Sequence, residues 1–422
     1  MSTGPVPLSH SQQRFLLDEG LAPGQDDNQV VLPYLLTGPV DPAALAAAFD
    51  DVVRRHPGLR SVFRWDGDLG PVQEVLPFDP VRTPLVATPV ADPSRPVAET
   101  AAALCADWWR QPFDLEEEPP LRARLGRLDD ERWLLCLSLH HIVFDGRSEQ
   151  VLLDDLGAAY AARAAGRQPD LPPVPGFHDY ARWEAQHVAA WKERDLPFWR
   201  DMLGGECPRL LPAAAQEQAP RRDHEVVLDP AAVEGVLAAV REARALPLAA
   251  VLCGTAHGLE RAFGADRLHL ATISSGRFER AFHSVVGCFV NPIVLPMAAD
   301  GREPAEFVRA TGRAVFQGLR HARTPFDEVV RAVRPGGAQD ELWSAMVAFQ
   351  LPTPGGRFGG DGIGYRPVRV AAPRAGAGLL VEVEPSADGA WSVAARWRED
   401  LVAEAAGRRV VEGLAEFLTT LA

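Results

Sequence analysis

The sequence predicts a mixed α/β (α+β) fold arranged as two lobes, and three observations lead there. At 422 residues, with 47% apolar and 24% charged side chains, the chain has an ordinary globular composition and is too long for one compact core. Helical and strand patterns alternate along both halves. Between them the stretch Gln168-Pro169-Asp170-Leu171-Pro172-Pro173-Val174-Pro175-Gly176 continues neither kind of element.

In order along the chain, Pro42 to Arg55 predicts a helix, with Asp41 as N-cap and Pro42 at the first position. Ser61 to Trp65 predicts a strand, and Asp66-Gly67-Asp68-Leu69-Gly70 a hairpin turn. A helix is expected over Val97 to Arg110, a strand over Arg132 to Leu139 and a helix over Gly146 to Arg163. A new helical pattern opens near Asp179, so the lobe boundary is placed at the Pro-rich stretch, giving 1–172 and 173–422. The second half predicts helices over Pro230 to Arg244, Pro247 to Phe263 and Ala305 to His321, with β-rich runs at His269 to Ser274, Phe289 to Leu295 and Met346 to Leu351. Two Gly/Pro-rich segments, Arg334 to Ala338 and Pro352 to Gly364, read as linkers or as loops by which one lobe reaches the other.

Charge and composition exclude several classes. With 57 acidic against 43 basic side chains the net charge is −14, which repels a phosphate backbone, so no nucleic-acid partner is expected. Cys105, Cys136, Cys207, Cys253 and Cys288 are scattered and odd in number, the pattern of reduced thiols in a cytoplasmic protein. The opening MSTGPVPLSH lacks a basic-then-apolar leader, and runs such as Ala43 to Phe49 are far short of a membrane span.

The chemistry concentrates after the strand Trp133 to Leu139. Period-two alternation puts Trp133, Leu135, Leu137, Leu139 and then His141 on one face, with His140 opposite. Asp145-Gly146 fits a turn into a helix, with Asp145 as N-cap and Leu152, Leu153, Leu156, Ala159 and Tyr160 as the inward stripe. Gly146 permits close backbone approach and offers an N–H at a helix start. An imidazole, a buried carboxylate and a donor thus converge in one short segment. Adjacent His side chains on a strand diverge, so a metal is not expected.

The segment His140-His141-Ile142-Val143-Phe144-Asp145-Gly146 resembles the HHxxxDG signature of nonribosomal peptide condensation domains, and further motifs of that family follow in order. Leu8 to Phe15 is similar to S-x-A-Q-x-R, Arg55 to Phe63 to R-H-x-x-L-R-x-x-F, and Phe177 to Trp183 to Y-x-D-Y-A-x-W. Val286 to Asn291 is similar to I-G-x-F-V-N, and His321 to Asp327 to H-Q-x-x-P-F-E. The family's R-D-x-S-R-N-P-L motif has no counterpart; Pro335-Gly336-Gly337-Ala338-Gln339-Asp340 stands in its place. The two His separate the chain from cyclisation domains, and the E-G-H-G-R motif of epimerisation domains is absent from the sequence.

The resemblance implies two chloramphenicol-acetyltransferase-like lobes in a V-shaped pseudo-dimer with a central tunnel. It also implies a condensation enzyme that joins an acyl or aminoacyl thioester to an amine or hydroxyl acceptor. The thioester is carried on the phosphopantetheine of a carrier protein, with no other cofactor. The chain starts and ends near the limits of one such unit, which reads either as a free-standing enzyme or as a unit excised from a larger synthetase. Expected catalytic residues are His141, as general base or orienting acceptor, with His140, Asp145 and Gly146. Asp145 is expected to anchor the turn through an arginine, Arg55 or Arg60, and His140 to be a packed structural imidazole. Trp183 is expected as an aromatic anchor, and Asn291 as either a backbone brace or a tunnel residue. Cys288 is expected as core filler with no base beside it. The competing readings are a coenzyme A-dependent acyltransferase and a silent recruitment module. Because carrier proteins are usually acidic, a local Arg/Lys patch is expected on this acidic chain.

Overall fold

The computed structural model describes residues 4–21, 28–67, 70–205, 210–211, 219–298, 301–336, 342–350, 355–358, 362–370 and 378–422. Cys207, Asp68-Leu69 of the expected hairpin turn and Gly337 to Asp340 of the divergent motif lie outside these residues. In chain order the helices are α1 His10–Leu21, α2 Pro42–Arg55, α3 Val97–Cys105, α4 Gly146–Ala164, α5 Phe177–Leu203, α6 Pro230–Glu242, α7 Pro247–Phe263, α8 Pro304–Arg320, α9 Phe326–Val333 and α10 Glu404–Leu421. The strands are β1 Val6–Pro7, β2 Gln29–Thr37, β3 Ser61–Asp66, β4 Gly70–Val75, β5 Leu85–Thr88, β6 Leu121–Arg127, β7 Arg132–His140, β8 Arg221–Leu228, β9 Arg267–Ser274, β10 Asn291–Ala298, β11 Ala345–Phe349, β12 Gly356–Arg357, β13 Gly364–Pro367, β14 Leu379–Pro385 and β15 Trp391–Arg398.

Local chemistry sets the helix ends. The Asp41 carboxylate accepts from the Ala43 and Ala44 amides ahead of α2, and Asp229 accepts from Ala232 ahead of α6, satisfying donors that an N-terminus leaves orphaned. Pro247 opens α7, and Gly264, at φ 72°, closes it in the left-handed conformation. The helix expected over Val97 to Arg110 is broken: α3 stops at Cys105 and a 3-10 turn covers Trp108–Arg110, seating Trp108 in the core.

Two compact units result. The first comprises Met1–Gln186, Arg277–Phe289 and Thr353–Ala372; the second comprises His187–Gly276, Val290–Pro352 and Pro373–Ala422. A cut at 172/173 leaves three of these pieces in the wrong half, for identifiable reasons. Phe177 and Tyr180, at the start of α5, pack with Phe282, Val285 and Phe289 in one apolar cluster. The Gly/Pro-rich segment supplies β12 and β13, and β13 runs antiparallel to β2 from Gly364↔Thr37 to Pro367↔Tyr34.

In the first unit one sheet has the order β12-β13-β2-β7-β6-β5 and a small one the order β1-β4-β3. Strand β7 is flanked by β2 and β6, both antiparallel to it, and Leu134 to Leu139 are buried without interruption. A strand covered on both faces reads as a continuous apolar run, as this one does. The second unit has the sheet order β10-β9-β11-β14-β15-β8. Its core joins Val251, Leu252 and Leu259 of α7 with Val393, Ala395 and Trp397 of β15 and Val410 and Leu414 of α10.

Candidate active site

Strand β7 positions the site by ending where it does. Its last residue is His140, and His141–Val143 form a 3-10 turn in which the His141 amide donates to the Asn28 carbonyl at 2.7 Å. The alternation that placed His141 on the strand's apolar face therefore stops one residue short, and the turn sets the direction of this imidazole.

His141 is half-buried, its ring stacked on Phe15 of α1 with centroids 4.9 Å apart and planes 16° from parallel. Its Nδ1 lies 3.6 Å from the Cys288 Sγ, so Cys288, expected as filler away from any base, touches this histidine. Burial lowers the His141 pKa from its ordinary value; a hydrogen bond to its own backbone carbonyl and the charge of Asp145 oppose this, while His140 and Arg14 add to it. In the tautomer that carries its proton on Nδ1, the neutral ring keeps a lone pair on Nε2.

His140 is used up by the fold. Its Nδ1 accepts from the Ile142 amide at 3.0 Å, so Nε2 carries the proton and donates to Glu19 Oε1 at 3.1 Å. The side chain is sealed, and neither nitrogen remains for a substrate, which separates it from the catalytic set expected above.

Asp145 caps α4 and does more. Its Oδ1 accepts from the Ser148 amide at 2.8 Å and from Arg277 Nη2 at 2.8 Å, and its Oδ2 from the Phe289 amide at 3.0 Å. The partner is therefore Arg277, not Arg55 or Arg60. Arg277 also donates through Nη1 to the carbonyls of Phe282 (2.9 Å) and Val285 (2.8 Å), and lies 4.0 Å over the Phe289 ring. Ser148 ties the assembly together: its hydroxyl accepts from the Gly287 amide (3.0 Å) and from Arg277 (2.9 Å), with the Gly287 carbonyl and Asp145 Oδ1 as acceptors at 2.8 Å. Gly287 has no room for a side chain, since a Cβ there would lie 2.0 Å from Phe177 Cδ2. At Gly146 the opposite holds. It is exposed, and a Cβ would meet no atom within 4 Å, so the chain's own packing does not require a glycine there.

The remaining expected residues have structural partners. Arg55 Nε lies 2.9 Å from Asp155 Oδ2, which His56 Nε2 also meets at 2.6 Å, and Arg55 Nη1 reaches the Pro172 carbonyl. Arg60 donates to the carbonyls of Val53 (3.0 Å), Leu76 (2.5 Å) and Arg54 (3.3 Å), bracing the turn between α2 and β3. Trp183 lies 5.7 Å from Phe282 and 5.9 Å from Tyr180, centroid to centroid. Asn291 Nδ2 donates to the Ala322 and Thr324 carbonyls, and its Oδ1 accepts from the Phe326 amide at 2.9 Å, a backbone brace. Among the described residues no group of three His, Cys, Asp or Glu side chains is placed to hold a metal ion, and no helix is long and apolar enough to cross a membrane.

Sequence reasoning missed Arg277, Ser148 and the Phe15 stack. A faint signal existed for Arg277: it follows Ser274-Ser275-Gly276 at the end of an apolar strand, and Gly276 takes φ 64°.

Comparison with known proteins agrees with this geometry. The family model described as Condensation domain matches residues 2–419. The phosphinothricin tripeptide synthetase PhsB of Streptomyces viridochromogenes is 34% identical over 376 residues, covering 86% of this chain. The chain spans only 31% of that synthetase's length. Among solved structures, the first condensation domain of the calcium-dependent antibiotic synthetase, with a bound substrate analogue, superposes with a TM-score of 0.83 at 21% identity, covering 99% of this chain and 96% of that one. The X-domain in its complex with OxyB from teicoplanin biosynthesis gives 0.80 at 24%, covering 99% and 93%.

Proposed function

Because this chain belongs to the condensation domain family, whose members in nonribosomal peptide synthetases are acyltransferase-type enzymes forming amide bonds, we propose that it transfers an acyl or aminoacyl group from a carrier-protein phosphopantetheine thioester to an amine or hydroxyl acceptor. Natural-product assembly in the cytoplasm is its setting, and no resident cofactor takes part.

The observation that carries this reading is the division of labour between His141 and Asp145. Asp145 is buried and holds Ser148, Arg277 and Phe289, which makes it an anchor rather than a base. Burial lowers the His141 pKa, which favours the neutral ring, and in the tautomer protonated on Nδ1 the Nε2 lone pair is the one left to accept. In this reading Nε2 accepts a proton from the acceptor as its nitrogen or oxygen attacks the thioester carbonyl carbon. The tetrahedral oxyanion collapses, the C–S bond breaks, and the proton passes to the departing sulfur as the pantetheine thiol forms. A hydroxyl acceptor depends on this base more than an amine does. The thioester is already activated, so alignment supplies much of the rate. Open space over Gly146, at the start of α4, suits close approach of a thioester, with the helix N-terminus favouring negative charge.

The test is intact-mass analysis with a panel of acyl donors presented on carrier proteins and, in parallel, as coenzyme A thioesters. Condensed product from carrier-borne donors supports the reading. Product only from the coenzyme A thioesters makes the chain a free acyltransferase, and carrier binding without product from any donor makes it a recruitment module.

A further inference from the structure

The chain is acidic overall, yet one helix breaks the pattern. Helix α8 and the turn after it, residues 304–326, carry Arg309, Arg313, Arg320 and Arg323 against one carboxylate, Glu306 in the first turn, in a sequence whose acids outnumber its bases 57 to 43. Helix α8 buries Phe307, Val308, Thr311, Val315 and Gly318. On its other side Arg309, Arg313, Phe316 and Arg320 are all exposed, Phe316 to 62%. Their spacings of four, three and four residues put them on one narrow stripe, about 16 Å long at 1.5 Å per residue.

Elsewhere in the same unit some exposed arginines are matched and others, such as Arg241, Arg267 and Arg409 among the described residues, are not; what sets α8 apart is that three unmatched cations share one stripe with an exposed ring. Arg222 pairs with Glu399, Arg261 with Glu416, Arg331 with Glu328 and Arg408 with Glu404. Among the described residues no carboxylate pairs with Arg309, Arg313 or Arg320. The helix dipole favours a cation in the last turn, which accounts for Arg320 but not for two cations further up or for an exposed phenyl ring between them. Aromatic and arginine side chains side by side are the composition enriched at protein interfaces, and three unmatched cations select a negatively charged partner.

We propose that this face of α8 docks the carrier protein that presents the acyl donor, through acidic side chains on the carrier that pair with Arg309, Arg313 and Arg320 while Phe316 is covered. The inference rests on the acyl-transfer reading above, since that reading supplies a protein-borne substrate.

The test compares wild type with Arg309→Glu/Arg313→Glu and, separately, Phe316→Ser, using an acidic holo carrier protein for binding and the same acyl group on a carrier and on free pantetheine for turnover. Arg309→Gln/Arg313→Gln serves if charge reversal disturbs folding. The expected result is carrier affinity down about tenfold or more in each variant, with binding by wild type weakening as salt rises. The KM for the carrier-borne donor rises in step, while turnover of the pantetheine thioester is unchanged. Equal carrier binding by wild type and variants, no carrier binding by wild type, or equal loss with both donors overturns the proposal. If neither donor is turned over by wild type, the acyl-transfer reading fails, and the binding comparison still decides the docking surface.

Discussion

Arg277 Nη2 lies 2.8 Å from Asp145 Oδ1, and the two side chains are 5% and 1% exposed. A charge pair so sealed from water is costly to break from one side, because the survivor is left buried and uncompensated. Arg277→Ala should cost about 3–5 kcal/mol of unfolding free energy by denaturant titration. Asp145→Asn should hurt stability as much as turnover. A stable and fully active Asp145→Asn protein would contradict the anchoring role, and Arg55→Ala should leave turnover per folded molecule unchanged, because Arg55 serves Asp155.

As the proposed base, His141 should set the pH profile. A base must be deprotonated to act, and burial lowers its pKa from 6.5, so the acid limb of kcat/KM should fall below that value. Stability follows with the same sign. Burial lowers the pKa of His141, His178 and His269, so in the interval below 6.5 the unfolded chain binds more protons than the folded one. Stability from these residues is complete above 6.5 and is lost as pH falls through that interval. Melting temperatures measured from about pH 8 to pH 5 check this, and a flat profile would count against lowered pKa values at these imidazoles.

Phe15 positions His141 through the stacked ring. Phe15→Leu keeps an apolar side chain but removes the flat face, so kcat should drop about tenfold with little change in KM. The acid limb should also move up toward the ordinary imidazole value as water reaches the ring. An unchanged pH profile together with unchanged kcat would limit Phe15 to packing.

Gly287→Ala should be among the most damaging single changes outside the histidine segment. The new methyl would collide with Phe177 while both polar backbone atoms of residue 287 are held by Ser148. A loss of about 3 kcal/mol or more is expected by thermal or chemical unfolding.

Much of this was readable from local pattern. Asp41 with Pro42, Pro247 and the Asp145-Gly146 turn announced their helices because capping chemistry is confined to a few adjacent residues. The pattern from Arg132 to Leu139 announced β7 as a strand, but not that both its faces are covered. What stayed hidden depends on long-range packing. Arg277 meets Asp145 across 132 residues of sequence, and Cys288 meets His141 across 147. The 3-10 turn at His141 defeats a period-two count, and strands as short as β12 and β13 leave too few residues in a Gly/Pro-rich segment for any periodicity to register. Capping therefore foretold the position of Asp145 but not its arginine, and the motif marked His141 but not the ring stacked on it.

The most direct measurement of the central claim is single-turnover intact mass on an acyl-loaded carrier mixed with an acceptor and either wild type or His141→Ala. The account predicts that wild type unloads the carrier with formation of condensed product. It predicts that His141→Ala, folded by its melting profile, is slowed about a hundredfold or more, the scale of losing a general base. Equal rates of product formation by the two proteins would contradict it.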